Sequence, residues 1–211
     1  IKDRTALGII LDAEKNKLIE PNGICVEGTF GNTGIGLTLV NNARGYKTVI
    51  VMPNITVPSK RDILKNMGAE LHLVDPQPYS NPGNYQRVSE RLAKEIENER
   101  GVKTFWAGQF ENTSNYKFHE QTTANEIYNQ TNGNINGFTC AIGTGGTLTG
   151  ICIGLKSRDK NIKIACTGSQ GSSMYNYFTS GNLEKKGDPS FTEGIGQARI
   201  TKNLEKCEVD M

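Results

Sequence analysis

Short β-branched runs alternate with amphipathic helical patterns along most of this chain. Strands are predicted where such runs end at glycine, proline or polar residues: Lys47–Pro53, Ala69–Val74, Val102–Gly108, Phe138–Ile142 and Ile162–Cys166. Apolar residues at helical spacing predict the helices between them: Ser59–Met67, Tyr85–Arg100, Phe118–Gln130 and Leu148–Arg158. This order predicts an α/β fold with a mostly parallel sheet that helices cover on both faces.

Two segments interrupt the alternation. Pro76–Asn84 is rich in proline, asparagine and glycine, which favours a surface loop. Met174–Pro189 is polar and contains several glycines and asparagines, so it is predicted to be a mobile excursion from the fold.

Composition narrows the classes of function. The 211 residues include 24 basic and 22 acidic side chains, and this balance gives no reason to expect nucleic acid as a partner. No apolar run is long enough to span a bilayer, so no membrane partner is expected. The five cysteines include no C-x-x-C pair, which favours buried thiols in a reducing cytosol over a metal site. The chain begins without Met or a signal-peptide pattern, so we expect a cytoplasmic protein, present here as a fragment or a processed chain.

The strongest local signal for chemistry is a loop between a predicted strand and a predicted helix. It consists of Gly143, Thr144, Gly145, Gly146 and Thr147. Glycines let an anion approach the backbone, and the N-terminus of the following helix adds N–H donors and positive potential. The Gly-Lys-Ser/Thr ending of a nucleotide-binding P-loop is missing. A phosphate or carboxylate cradle is therefore favoured over an ordinary tight turn.

Three other segments are ambiguous on local grounds. Glu27–Gly34 feeds a predicted helix, and its hydroxyl, amide and backbone donors suit a carboxylate, yet Asn32 and Thr33 could equally be N-caps. Gln109 follows a strand, where parallel sheets bind ligands, but a polar loop start is the better local interpretation. Nothing local names a ligand for the glycines of Thr192–Gln197.

Two titratable residues gain no functional role from the local pattern. Lys2 stands at the start of the chain, where a lysine is normally a solvated charge on a fraying end. His119 lies near Tyr116 and Thr123 at the start of the predicted helix Phe118–Gln130, and it is interpreted as a surface or packing residue rather than an acid/base group.

Taken together, these segments resemble the cysteine synthase and cystathionine β-synthase family of fold-type II pyridoxal-phosphate (PLP) enzymes. Lys2-Asp3-Arg4 matches the end of the family's Ser-x-Lys-Asp-Arg segment, and Thr29–Gly34 matches its Thr-Ser-Gly-Asn-Thr-Gly substrate loop. The other matches are Gln109-Phe110 with a Gln-Phe pair, Gly143–Thr147 with the phosphate loop, and Glu193–Gly196 with a Glu-Gly-Ile-Gly segment. Their common order and spacing make the resemblance far more specific than any single motif.

The resemblance implies a role for each matched residue. Lys2 would bind PLP covalently and act as general base at the substrate Cα. Asn32 would hydrogen-bond the ring hydroxyl oxygen of PLP. The PLP phosphate would be held by Gly143, Thr144, Gly145, Gly146 and Thr147. The substrate would be bound by Thr29, Phe30, Gly31, Thr33, Gln109 and Gly194, and no metal is implied.

The implied activity is PLP-dependent β-replacement or elimination on a serine-derived amino acid. Cysteine synthase, which converts O-acetylserine and sulfide to cysteine and acetate, is the favoured reaction. Cystathionine β-synthase, cyanoalanine synthase and cysteine desulfhydrase share the chemistry and differ in the nucleophile. A truncated, non-catalytic relative that acts as a binding subunit is an alternative of another class. The implied partners are a small amino acid, a sulfide-like nucleophile and, for a homodimer, a second copy of the chain.

The family also implies an architecture of two mostly parallel, three-layer αβα parts, as in tryptophan synthase β-like enzymes. Residues 1–22 and 109–211 would form part of a larger cofactor-binding domain, and residues 23–108 a smaller, mobile substrate-loop domain. The family's stretch before the PLP lysine, and its later segment with the serine that partners the pyridine nitrogen, are not in the sequence. The chain is therefore expected to be incomplete at both ends.

Two residues depart from the family's substrate loop. Phe30 replaces a serine, which removes a hydroxyl donor, adds a bulky ring and changes the usual grip on the carboxylate. Gly28 stands where proline is common, and this predicts a more mobile loop.

Overall fold

The computed structural model describes residues 1–169, 172–183, 192 and 194–211. The chain divides into two compact units, Ile1–Gln109 and Phe110–Met211. Within the described residues, no helix is long and apolar enough to cross a membrane. The proposed division into a larger domain of residues 1–22 and 109–211 and a smaller domain of residues 23–108 stays a prediction.

The first unit is built around one four-stranded parallel sheet. Its elements are α1 (Lys2–Lys15), β1 (Ile24–Gly28), α2 (Asn32–Arg44), β2 (Lys47–Pro53), α3 (Pro58–Asn66), β3 (Glu70–Val74), α4 (Tyr85–Arg100) and β4 (Thr104–Trp106). The strand order is β3-β2-β1-β4, and every pairing is parallel. The carboxyl ends of β1 and β4 therefore lie at the same edge, where Thr29 and Gln109 follow closely.

Helices cover both faces of this sheet because its inner strands β1 and β2 are buried on both sides. In β2, Val49 and Val51 pack with residues of α4, whereas Ile50 and Met52 pack with Leu64 of α3 on the opposite face. Each such fully buried side chain stabilises the fold by roughly 1.5–3 kcal/mol. The sheet is thereby a rigid support for the loops at its carboxyl edge.

Helix α1 lies against α2 because a glycine allows a close approach. A Cβ atom on Gly36 would lie only 2.9 Å from the Lys2 carbonyl oxygen and 3.0 Å from the Asp3 nitrogen. Further along the two helices, Ile9 and Leu37 are fully buried in one apolar cluster. Gly36 therefore sets the position of the first turn of α1, which carries Lys2.

The second unit contains a parallel pair of strands and a central apolar helix. Its elements are α5 (Ser114–Phe118), a π-helical turn (His119–Thr123), α6 (Ala124–Gln130), β5 (Gly137–Ala141), α7 (Gly146–Lys156), β6 (Lys163–Thr167) and α8 (Ser173–Ser180). In α7, Leu148, Ile151 and Leu155 are buried in a cluster that also contains Met174 of α8. A Cβ atom on Gly150 would lie 2.3 Å from the Tyr116 carbonyl oxygen, so this glycine permits α5 and α7 to touch.

The predicted α/β order and the parallel strands are confirmed, and β2 and α4 have the predicted bounds. The helix predicted from Phe118 begins earlier, at Ser114. The predicted mobile excursion at Met174–Pro189 is wrong for its first part, because α8 spans Ser173–Ser180. The Ser172 side chain caps this helix by accepting a hydrogen bond from the Met174 nitrogen, and Met174 itself is buried. Residues 184–189 lie outside the described residues.

Candidate active site

Lys2 lies in the first turn of α1 and is not a solvated terminal charge. Its Nζ donates a hydrogen bond of 2.9 Å to Oε1 of Gln109. Burial lowers the pKa of the Lys2 ammonium to about 8, although the nearby charge of Glu27 raises it. The local interpretation of Lys2 as a fraying end is therefore wrong, because the packing of α1 on α2 holds this lysine against the interior of the first unit.

Gln109 joins Lys2 to the predicted substrate loop. Its Oε1 also accepts a 2.7 Å hydrogen bond from Oγ1 of Thr33, and its backbone nitrogen donates to Oε2 of Glu27 at 3.3 Å. Gln109, Thr33 and Glu27 are each buried. The fold thus brings together three of the residues that the sequence predicted to act in the site: Lys2, Thr33 and Gln109.

The loop after β1 is held by its own contacts. Oγ1 of Thr29 accepts a hydrogen bond of 3.1 Å from the Gly31 nitrogen, and Gly31 has a φ of +133°, which favours glycine. The ring of Phe30 packs against the ring of Tyr85. Asn32 is exposed at the start of α2, where Gly31 is the N-cap and no side chain caps the helix, so the predicted N-cap alternative is wrong.

In the second unit, the segment Gly143–Thr147 connects β5 to α7 and forms a close-packed cradle. Gly145 is the N-cap of α7 with a φ of +89°. A Cβ atom on Gly143 would lie 2.4 Å from the Gly194 carbonyl oxygen, and one on Gly146 would lie 2.2 Å from Oδ1 of Asn115. The glycines are therefore required by close neighbours as well as by backbone conformation. Glu193, the partner of Gly194 in the sequence match, lies outside the described residues.

Hydrogen bonds from neighbouring segments fix this cradle. The hydroxyl of Thr144 accepts a bond of 3.1 Å from Nδ2 of Asn115, and the Thr144 carbonyl accepts one of 2.6 Å from Oγ1 of Thr201. Gln197 donates through Nε2 to the Gly143 carbonyl at 3.2 Å. Oγ1 of Thr147 lies 3.4 Å from Nε2 of His119. The backbone N–H groups at the start of α7 are thus presented by a preformed loop.

Sequence reasoning missed two residues that support these sites, Glu27 and Asn115. Glu27 gained no role, although a carboxylate directly after the apolar run Ile24-Cys25-Val26 was a visible signal of an unusual environment. Asn115 carried no comparable signal, since only the packing of α5 against α7 brings it to Thr144. His119 is fully buried, in agreement with the predicted packing role, and its ring also meets Thr147.

The residues fit PLP in chemical terms. The first unit offers a desolvated lysine amine, which a covalently bound aldehyde cofactor requires. The second unit offers the N-terminus of α7 behind a glycine-rich loop, and the backbone N–H donors of such a helix start suit a phosphate group. Among the described residues, no three His, Cys, Asp or Glu side chains are grouped closely enough to hold a metal ion.

A comparison with protein families decides the classification. The family of pyridoxal-phosphate dependent enzymes matches residues 1–208. The chain belongs to this family. The resemblance stated from the motifs is thereby confirmed, as is the fold-type II architecture.

Individual relatives agree. The chain is 44% identical to cysteine synthase 1 of Emericella nidulans over 207 residues. The matched region covers 97% of this chain and 55% of that protein. A crystal structure of a hydrogen sulfide-producing enzyme from Fusobacterium nucleatum matches with a TM-score of 0.84 at 32% identity, over 100% of this chain and 65% of that one. The structure of O-acetyl serine sulfhydrylase isoform 3 from Entamoeba histolytica has a TM-score of 0.81 at 32% identity, over 98% of this chain and 57% of that one. The chain spans about half the length of the curated relatives it matches.

Proposed function

We propose that the protein is a PLP-dependent β-replacement enzyme that converts O-acetylserine and sulfide to cysteine and acetate. The observation that carries this proposal is the desolvated amine of Lys2, bonded to Gln109 beside Thr33 of the substrate loop. The 44% identity to cysteine synthase 1 of Emericella nidulans supports this choice of reaction.

Lys2 would hold PLP through Nζ and later remove the proton from the substrate Cα. When bound, PLP supplies the electron sink for this chemistry. A lysine with a pKa of about 8 can be deprotonated close to neutral pH, as a general base requires, whereas an ordinary lysine stays almost fully charged. Asn32 would hold the ring hydroxyl oxygen, and the loop of Gly143, Thr144, Gly145, Gly146 and Thr147 the phosphate.

The substrate would be bound by the loop after β1 together with Gln109 and Gly194. The hydroxyl group of Thr29 would donate to its carboxylate, and Thr33 would lie beside it with its hydroxyl bonded to Gln109. Gln109 would border this site through its side-chain amide, whose oxygen accepts from Thr33 and Lys2. Gly31 would let the carboxylate approach the backbone, and the ring of Phe30 would narrow the space beside it.

The second nucleophile distinguishes the neighbouring reactions. Cystathionine β-synthase, cyanoalanine synthase and cysteine desulfhydrase activities remain candidates, and the likeness to a hydrogen sulfide-producing enzyme favours testing the last of them. A non-catalytic binding subunit is the alternative of another class. We further propose a homodimer in the cytoplasm, with residues 1–22 and 109–211 in the cofactor-binding domain and residues 23–108 in the substrate-loop domain.

The first experiment is the absorbance spectrum of the purified protein with PLP. We expect a visible band of lysine-bound cofactor in the wild type, its loss in Lys2→Ala, and its retention in Lys15→Ala, which removes an exposed lysine of the same helix. Cysteine formation from O-acetylserine and sulfide, measured beside sulfide release from cysteine, then separates the reactions. A folded wild-type protein without the band contradicts the proposal and favours the non-catalytic alternative.

A further inference from the structure

Glu27 is a carboxylic acid buried at the carboxyl end of β1. Only 1% of its surface is exposed, and the other residues of β1 are buried as well. Burial raises the pKa of Glu27 to about 7, while hydrogen bonds from Gln109 and the charge of Lys2 oppose this rise. Burying a carboxylate costs several kcal/mol unless it is bonded and paired. Because the protein bears this cost, we expect Glu27 to have a function, and the residues that it contacts indicate which one.

The hydrogen bonds of Gln109 fix which way its amide points. Oε1 accepts from two donors, the ammonium of Lys2 at 2.9 Å and the hydroxyl of Thr33 at 2.7 Å. An ammonium group can only donate, so this atom is the amide oxygen. The amide nitrogen is then the group that donates to the Glu27 carboxylate, which also accepts from the Gln109 backbone nitrogen at 3.3 Å. Glu27 thus holds Gln109 by both its backbone and its side chain.

We propose that Glu27 is a positioning residue for the proposed PLP lysine: its carboxylate orients the Gln109 amide toward Lys2 and Thr33, and its negative charge sets how readily the Lys2 amine loses its proton. The inference rests on the proposed function in one respect, namely that Lys2 is the reactive amine. A carboxylate is suited to this task because it accepts two bonds from Gln109 and carries a negative charge. Glutamine at position 27 could accept a bond from Gln109 but would carry no charge.

The pair of Glu27 and Lys2 can be tested without the cofactor. Competitive acetylation of the full chain with acetic anhydride over a pH series, followed by peptide mass spectrometry, gives the pKa of Lys2 from its labelling rate. In Glu27→Gln we expect this pKa to fall by about one unit, which makes Lys2 about tenfold more reactive below its pKa. Cys25 also interacts with Glu27, but burial raises the pKa of its thiol to about 12, so it stays neutral over the relevant range.

The matched control is Glu20→Gln, which removes the same charge from an exposed position. Equal Lys2 pKa values in Glu27→Gln and Glu20→Gln would overturn the proposal, because a purely structural Glu27 would leave the titration of Lys2 unchanged. The pKa of Lys2 is measured in both variants without PLP. A wild-type protein that showed no PLP band would therefore count against the proposed function, but it would not affect this test of Glu27.

A reciprocal measurement covers the case in which Glu27→Gln does not fold. Infrared spectra of protein labelled with ¹³C-glutamate report the protonation of the buried carboxyl group. Lys2→Ala removes the positive charge, so the pKa of Glu27 should rise above its value in Lys15→Ala. The proposal is wrong if the carboxyl group titrates identically in the two variants.

Discussion

The rings of Phe30 and Tyr85 meet edge to face, with centroids 5.2 Å apart and planes at 79°. Phe30 belongs to the loop after β1, and Tyr85 begins α4. Tyr85 also accepts a hydrogen bond of 3.0 Å from Nε2 of Gln86, which fixes its ring. The aromatic residue that replaces the family's serine is therefore anchored to α4, and it connects the predicted substrate loop to a helix that covers the sheet.

This contact should appear as a coupling energy. In a double-mutant cycle of Phe30→Leu and Tyr85→Leu, we expect the two losses of stability to differ from additivity by about 0.5–1.5 kcal/mol, as aromatic pairs do. Urea unfolding of the wild type, the two single variants and the double variant measures this coupling energy. Tyr46 precedes β2, at the end of the sheet where the strands begin, whereas Phe30 follows the end of β1. The stability losses of Phe30→Leu and Tyr46→Leu should therefore be additive. Additivity in both cycles would show that the Phe30–Tyr85 contact carries no energy.

Gly28 allows the same loop to approach α4. A Cβ atom at this position would lie 2.6 Å from the Tyr85 carbonyl oxygen and 2.8 Å from Oγ of Ser89, and Ser89 is held by a 3.0 Å bond from the Trp106 indole nitrogen. We therefore expect Gly28→Ala to lower the free energy of unfolding by about 1–3 kcal/mol. The control Gly83→Ala, in an exposed loop where the nearest atom is 3.3 Å away, should be near neutral. Thermal unfolding of Gly28→Ala and Gly83→Ala measures this difference, and equal unfolding midpoints for the two variants would contradict the packing argument.

Much of this fold was predictable because its strands are short and its helices strongly patterned. β2 and α4 have the bounds that the sequence predicts, since a proline ends the strand and Gly101 ends the helix in a left-handed conformation. Helix α8 was missed because the polar segment around it hides two apolar residues that pack on the core, the buried Met174 and the partly buried Phe178. The overall composition of a segment predicts its exposure poorly when a few apolar side chains anchor it.

The candidate site was predictable only where the residues form contiguous motifs. The segment Gly143–Thr147 carries its own signal, but the meeting of Lys2 with Gln109 depends on the packing of α1 and on the parallel order of β1 and β4. The Lys2–Gln109 contact joins residues 107 positions apart in the sequence. Glu27 was overlooked for the same reason, because its partners come from distant parts of the chain.

The glycine cradle predicts a specific loss of cofactor binding. In Gly143→Ala the new methyl group would meet the Gly194 carbonyl, 2.4 Å away, and push the loop out of shape. We expect PLP affinity to fall by at least about tenfold, or about 1.4 kcal/mol, in a spectroscopic titration. Gly168→Ala is the control, since its nearest neighbour would be 3.4 Å away. An unchanged affinity in Gly143→Ala would exclude this loop as the phosphate site.

The pair of Glu27 and Lys2 makes stability depend on pH in a distinctive way. Because the pKa of Glu27 rises from 4.5 to about 7 on folding, the folded state binds the extra proton in this range, and stability falls as pH rises through it. Because the pKa of Lys2 falls from 10.5 to about 8, the unfolded state binds the extra proton there, and stability increases again above pH 8. The contribution of this pair is therefore lowest between about pH 7 and 8.

Urea unfolding at a series of pH values isolates this effect. Glu27→Gln cannot ionise, so relative to the wild type it should gain stability, on the order of 2 kcal/mol, as pH rises from 4.5 to 7. The difference between Glu20→Gln and the wild type should stay flat over the same range, because that side chain is exposed. If the difference between Glu27→Gln and the wild type stayed flat, the Glu27 carboxyl group would have the same pKa in the folded and the unfolded chain. Burial would then cost this carboxylate nothing, and the argument that it needs Lys2 as a partner would fail.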